Sequence, residues 1–364
     1  MIVYASIIII ILILYFMIFF NGGYDSNKKK KIFLLLAFSI LFFVMGFRSE
    51  SVGTDTKLYC NIFENIQKMS ITSIINGTDT SLLYVIYNKF VSFFSSSRSA
   101  IIVANSFIIC TLTGVFIYNN SKKNVLLPTL LFLCLYHFFS AMNISRQYIA
   151  VMIVANSLYW IKENKKIYFL LSCLAATLVH NTAIISLTLL PLFYIKLNTK
   201  NIFLYITTVA IFCFSLDKIL LLFSSLFPHY LMYFGNNFLT EVGQNRKIII
   251  TLIYVVFELI MFCLLKSEGV SSEDKENLKL YVVINSLAII LGIVSLKVML
   301  FSRMEIYFSI FAIIYIPYVV SFFKDKYLIT FFLVLIMLVP MIVQLNSNNS
   351  EVLPYKNRIF TKQT

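Results

Sequence analysis

The chain has 364 residues, 60% of them hydrophobic and only 13% charged, and carries a formal net charge of +14. So apolar a composition leaves little room for a soluble domain. The basic residues fall in short, scattered clusters rather than one stripe, which argues against nucleic acid as a partner and for membrane topology and anionic lipid.

Apolar runs near or above the ~20 residues that cross a bilayer recur from Ile2–Phe20 to Tyr327–Gln344. The 36 Phe and 22 Tyr suit lipid-facing and interfacial positions. The expected fold is all-α: a polytopic transmembrane helical bundle forming a single integral membrane domain over 1–364. The first run lacks a basic n-region and is too long for a cleaved signal peptide, so it is a retained span. Basic clusters stand at Lys28–Lys31, Lys122-Lys123, Lys162/Lys165/Lys166, Lys196/Lys200, Lys266/Lys275/Lys279 and Lys324/Lys326. Placing them all in the cytoplasm puts the N-terminus outside and yields about twelve spans. These cover 2–20, 32–47, 99–118, 125–142, 146–161, 167–179, 182–195, 201–223, 248–265, 280–300, 304–323 and 327–344. Two longer loops, 48–98 and 224–247, lie outside with the C-terminal tail.

Arg48 follows the second span, in Gly46-Phe47-Arg48-Ser49-Glu50-Ser51-Val52-Gly53-Thr54-Asp55. It is a snorkelling residue at a span end, shapes the loop, or contacts an anion. Gly53 can supply a positive φ, and Asp55 is a local turn or N-cap residue for a helix over 56–68, or a catalytic carboxylate. Further along, 81–97 puts Ser81, Asn88, Ser92 and Ser95 on one stripe and Leu83, Ile86, Phe90 and Phe94 on another. That pattern fits a helix lying in the outer interface. His137 beside Tyr136 reads as a packed ring.

Arg146-Gln147 opens an apolar run with no acidic neighbour in sequence, and Asn143 lies one helical turn back. Arg146 is one of six arginines. A guanidinium at membrane depth costs about 2.5–3.5 kcal/mol on insertion scales, and its planar fork of donors suits an anion. Over 167–195, two crossings would leave each about 14 residues, or roughly 21 Å, short of the ~30 Å core. Two short helices meeting at the polar trio His180-Asn181-Thr182 reconcile length with topology, and backbone broken at depth lines a cavity. His180 has the titration range for proton transfer. His229 is a solvated loop residue. Glu258 is the one acid deep in a span, with no partner legible in sequence. Arg303-Met304-Glu305 precedes another span, with Tyr307 one turn on; Arg303 and Glu305 are too close in sequence to share a helical face. Cys110, Cys134, Cys173, Cys213 and Cys263 lie in apolar runs as packing residues, and Cys60 stands in a polar loop. No metal-binding spacing, Walker A loop or DxD pair is present, so no cofactor is expected.

On this topology Arg48, Glu50, Asp55, Arg146, His180, Arg303 and Glu305 gather on the outer face. Their strings resemble the EpsG family of Wzy-type polymerases of exopolysaccharide, capsule and O-antigen. The resemblance rests on Arg48 with Val52-Gly53-Thr54-Asp55 and Tyr59, then Arg146-Gln147 with Ile149-Ala150. His180 with Thr182-Ala183 and Arg303 with Tyr307 and Pro317 follow in order. It implies a multispanning enzyme of the bacterial cytoplasmic membrane that polymerises undecaprenyl-diphosphate-linked oligosaccharide on the outer face without a metal. A chain-length regulator is an expected partner. On that basis Arg146, Arg303 and Arg48 are candidates for the diphosphate and His180 or Asp55 for the acceptor proton. Gln147, Asn143, Glu305 and Tyr307 would support them. A flippase for the same lipid-linked oligosaccharide, or a ligase using it, is the alternative.

Overall fold

The computed structural model describes residues 1–24, 26–70, 73, 81–121, 124–194, 198, 200–204, 206–208, 210–211, 215, 241–296 and 299–359, without the side chains of 241–244 and 299–300. Most of the expected span 201–223 and most of loop 224–247, with His229 and Cys213, fall outside these residues, as do Lys122, Lys123 and Lys196. Every named element among the described residues is helical. The chain divides into two compact units, Met1–Ile184 with Thr330–Thr364, and Ile185–Ile329.

The first unit contains α1 (Ile2–Phe19), α2 (Asn27–Gly46), α3 (Thr56–Lys68) and α4 (Leu82–Ser92). It continues with α5 (Ala100–Asn120), α6 (Leu126–Cys134), α7 (His137–Asn143), α8 (Ser145–Asn156), α9 (Leu158–Lys162) and α10 (Lys166–Val179). A 3₁₀ segment, Asn181–Phe193, follows. The long α5 packs along α2 and α8, while α10 packs on α8 and α4. α1 keeps only 22% of its apolar window buried and leaves Ile9, Ile13, Phe16 and Met17 exposed. Apolar side chains turned outward along a whole helix belong against lipid.

The second unit contains α11 (Glu241–Lys266), α12 (Ser272–Val294), α13 (Met299–Ser309) and α14 (Ala312–Val320). α12 is its centre, with 78% of its apolar window buried, and packs on α11 and α13. α15 (Lys326–Ser347) leads back to the first unit.

Among the described residues, five helices are long and apolar enough to cross a bilayer, or seven if each of two bent pairs counts as one span. The expected count of about twelve is not confirmed over these residues, and several of the expected runs are interrupted. α2 spends its first turn on Lys28–Lys31, and the run 146–161 is divided at Ser157 between α8 and α9. The α6–α7 pair bends by 54° at Tyr136, which takes the left-handed conformation (φ 71), and the α13–α14 pair bends by 41°.

Over 167–195 the helix stops at Val179, His180 is extended, and the 3₁₀ segment begins at Asn181. The break therefore falls at the polar trio. α4 is 11 residues long, about 16 Å, and too short to cross a bilayer. It buries Tyr84, Val85 and Asn88 and exposes Ile86, Phe90, Phe93 and Phe94, so its polar stripe faces the protein and its apolar stripe faces outward.

Residues 348–359 run back over one end of the first unit. The Gly53 N–H donates to Glu351 O (2.9 Å), the Ser49 N–H to Lys356 O (2.8 Å) and the Arg358 N–H to Phe47 O (3.0 Å). Tyr4 Oη donates to Val352 O (2.8 Å), and Arg358 Nη1 to Ser99 O (3.2 Å). The starts of α1 and α5 and the end of α2 thus share one end of the unit. The opposite end holds Lys29, whose Nζ reaches Gly22 O, and Lys162, whose Nζ reaches Asn120. Lys29 and Lys162 therefore lie at the end opposite the tail.

Candidate functional site

Arg48 and Arg146 occupy the same end of the first unit in opposite states. Arg48 is 1% exposed. Its Nη1 donates to Met45 O, its Nη2 to Met142 O (2.6 Å) and its Nε to Val52 O (3.2 Å), with Ser106 and Thr56 hydroxyls at 3.4 Å. The guanidinium is consumed by backbone carbonyls from three chain segments. Burial lowers its pKa to about 10, so it stays cationic at neutral pH. It shapes the loop, and the geometry leaves it no face for a phosphate.

The same loop requires its glycine. Gly53 has φ +96°, and a Cβ there would lie 2.7 Å from Thr56 Oγ1 and 3.0 Å from Met142 O. Asn143 fastens the next two residues: its Oδ1 accepts from Thr54 Oγ1 (2.7 Å) and from the Asp55 N–H (2.9 Å). Asp55 sits at the N-cap of α3, yet its side chain makes no capping bond. The half-buried carboxylate is therefore not consumed by the helix end.

Arg146 stands in the first turn of α8 and is half-buried. Its guanidinium lies over the Tyr84 ring, 5.6 Å from the centroid. Among the described residues it has no ion pair or hydrogen bond, and its buried Nε is unsatisfied. Tyr84, fully buried on α4, is braced from α5: Asn105 Nδ2 donates to Tyr84 Oη (3.2 Å) and to Ser145 Oγ (3.0 Å). Asn105 thus holds both the ring beneath Arg146 and the residue before it. The buried Oδ1 atoms of Asn88 and Asn105 and the Tyr87 hydroxyl are also unsatisfied. A helix N-terminus presents free N–H groups and a positive dipole end, which adds to the attraction for an anion here. Gln147 is buried just behind.

α4 also reaches the break. Its N-cap residue Ser81 donates to Asn181 Oδ1 (3.1 Å), one turn from Tyr84. His180 is 8% exposed, and its Nδ1 is 2.7 Å from Thr182 Oγ1, which orients the ring. One short helix therefore carries contacts to both the Arg146 and the His180 neighbourhoods. His137 is a packed ring, with Nδ1 2.9 Å from Tyr148 Oη and a stack on Phe132. Cys60 corrects its reading as a loop residue. It is fully buried on α3 with Phe63, Ile101 and Ile102, because the loop folds into a helix with an apolar face.

In the second unit the partner of Glu305 among the described residues is Lys247. The Glu305 Oε2 lies 3.3 Å from Lys247 Nζ, and Arg303 is half-buried on α13 with Tyr307 fully buried one turn on. Glu258 has the partners that sequence could not name: Asn285 Nδ2 (2.6 Å) and Ser286 Oγ (2.5 Å). Tyr315 Oη in turn donates to Asn285 Oδ1 (2.6 Å). Tyr84, Asn105 and the 348–359 tail were missed. No local string marks them, since each acts only on a residue far away in sequence.

These features define a helical membrane protein with broken helices and, at one end of its first unit, an arginine without an ionic partner among the described residues. The family model that matches covers residues 31–357, and the chain belongs to the EpsG family, a family of polysaccharide polymerase-related membrane proteins. No curated protein and no solved structure matches.

Proposed function

We propose that this protein polymerises undecaprenyl-diphosphate-linked oligosaccharide repeat units into surface polysaccharide on the outer face of the cytoplasmic membrane. Arg146 carries the reading. A half-buried guanidinium with no anionic partner among the described residues, oriented by Tyr84 at a helix N-terminus, is a ready contact for a diphosphate.

In the reaction, the bond between the anomeric carbon of the growing chain and its diphosphate breaks. The anomeric carbon bonds to a hydroxyl oxygen of the incoming repeat unit, and the electron pair leaves with the lipid diphosphate. Charge develops on the diphosphate, and a preorganised cation stabilises it more in the transition state than in the ground state. Arg146 has that role, and Arg303, carried by the family motif, is a second diphosphate contact. The hydroxyl proton passes to His180 or Asp55. Asn143 supports the Asp55 loop, while Gln147, Glu305 and Tyr307 are assigned supporting roles. The scheme calls for no cofactor, since arginines take the part that a divalent cation plays in other glycosyl transfers. A chain-length regulator would act on the same outer face.

The test is complementation of a deletion strain, with surface glycan resolved on a gel and protein level matched by blot. Arg146→Ala should reduce long polymer by about 10²-fold or more while a single repeat unit still reaches the surface. Arg146→Lys should restore part of it, and Tyr84→Phe should outperform Tyr84→Leu because it keeps the ring under the cation. Loss of all surface glycan, single units included, would instead mark a flippase. Normal chain length in well-expressed Arg146→Ala and Arg303→Ala variants would remove the diphosphate assignment.

A further inference from the structure

The first unit carries a groove of about 520 Å³ between α2 and α5. Its walls are almost wholly apolar: Leu34, Leu35, Phe38 and Phe42 from α2, and Phe107 and Val115 from α5. Gly114, facing the Phe38 ring, leaves depth on the α5 side, Thr111 stands on the exposed rim, and the wall residues Leu35, Phe107 and Val115 are exposed. From Lys31 to Phe43 the groove follows α2 for about 18 Å at 1.5 Å per residue. One leaflet of a ~30 Å hydrocarbon core is about 15 Å deep.

One end of the groove is charged. Lys31 closes it, with Nζ 5.3 Å from the centroid of Tyr118, and has no ion pair or hydrogen bond among the described residues. It belongs to the run Lys28–Lys31, and the same end of the unit holds Lys162, whose Nζ reaches Asn120 on α5. Lys165 and Lys166 follow within the next turn of chain, with Glu163 as the neighbouring acid. A leaflet-length apolar channel with a strongly basic mouth is complementary to an anion attached to a single acyl chain's length of hydrocarbon.

We infer that the α2–α5 groove is a binding site for an anionic phospholipid of the leaflet at the Lys28–Lys31 end, one acyl chain lying in the groove and the headgroup phosphate at Lys31. The lysine ring contact with Tyr118 holds the ammonium at the mouth. The apolar walls take the chain without ordering any polar group. This inference is independent of the polymerase reading, because the groove's mouth is at the opposite end of the unit from Arg146.

The experiment is native mass spectrometry of the full-length protein in mild detergent, titrated with phosphatidylglycerol or phosphatidylcholine of matched chains. The wild type should hold one phosphatidylglycerol about fivefold more tightly than phosphatidylcholine, the difference expected for one lysine beside a net anionic headgroup rather than a zwitterionic one. Lys31→Gln should lose most of that selectivity while still binding a lipid. Thr111→Phe, which fills the groove from its exposed rim without touching the packed α2 face, should lose the bound lipid itself. Gly114→Leu is a second filling variant. Equal binding of the two lipids by the wild type, or a lipid retained at wild-type affinity by both filling variants, overturns the assignment. So does a polyprenyl phosphate that displaces the phospholipid at equal concentration, which would make the groove a substrate-tail site. A dimer appearing in place of bound lipid overturns it in favour of a second copy.

Discussion

Arg48 and Arg146 show how little a residue type decides by itself. Both follow or open apolar runs, and both are arginines that insertion energetics makes expensive. Arg48 recovers that expense by donating to the carbonyls of Met45, Val52 and Met142. Arg146 has no such partner among the described residues, where its cation faces the ring of Tyr84. The two should therefore fail differently when replaced. Arg48→Met removes charged hydrogen bonds to three backbone carbonyls, each worth ~1.5–3 kcal/mol, so it should destabilise the fold by about 3 kcal/mol or more. Thermal unfolding in detergent checks this: a melting temperature unchanged from wild type would show that Arg48 is not a structural clamp. Arg146→Ala should leave that melting temperature almost unmoved. Sequence marked both arginines as notable. It could not tell them apart, because what separates them is the position of Met142 O, contributed from far along the chain.

At the scale of elements, α4 turns its chemistry inside out. Its polar residues Tyr84 and Asn88 face the protein, while Ile86, Phe90, Phe93 and Phe94 face outward. An 11-residue helix is too short to cross a bilayer, so its expected place is flat in the interface, and its orientation lets Tyr84 and Ser81 meet Arg146 and Asn181. A fluorophore on cysteine at position 94 should be quenched strongly by lipids labelled near the headgroup and weakly by those labelled at the chain end. Equal quenching by both would mean that α4 does not lie in the interface. The amphipathic stripe was visible in the sequence, since period 3.6 is a local property. The break at His180 was visible for a different reason: two apolar runs of about 14 residues are each too short for a bilayer.

At the scale of the molecule, the tail over 348–359 ties together the starts of α1 and α5 and the end of α2. Single cysteines at positions 49, 99 and 357 in a background without other cysteines should therefore react with an impermeant maleimide from the same side of sealed vesicles. A cysteine at 162 should react from the other. Labelling of 99 and 162 from one side would overturn the topology on which the site depends.

What the sequence determined by itself was that this chain is helical and membrane-bound, and where its basic clusters stand along the chain. These follow from transfer energies and charge, which are properties of each segment taken alone. Only the tertiary structure decided that Arg48 is a clamp and Arg146 an open cation, that Tyr84 and Asn105 support the latter, and that Glu258 is held by Asn285 and Ser286. Hydrogen-bond satisfaction is a pairwise quantity between segments distant in sequence. It exists only once the helices have packed.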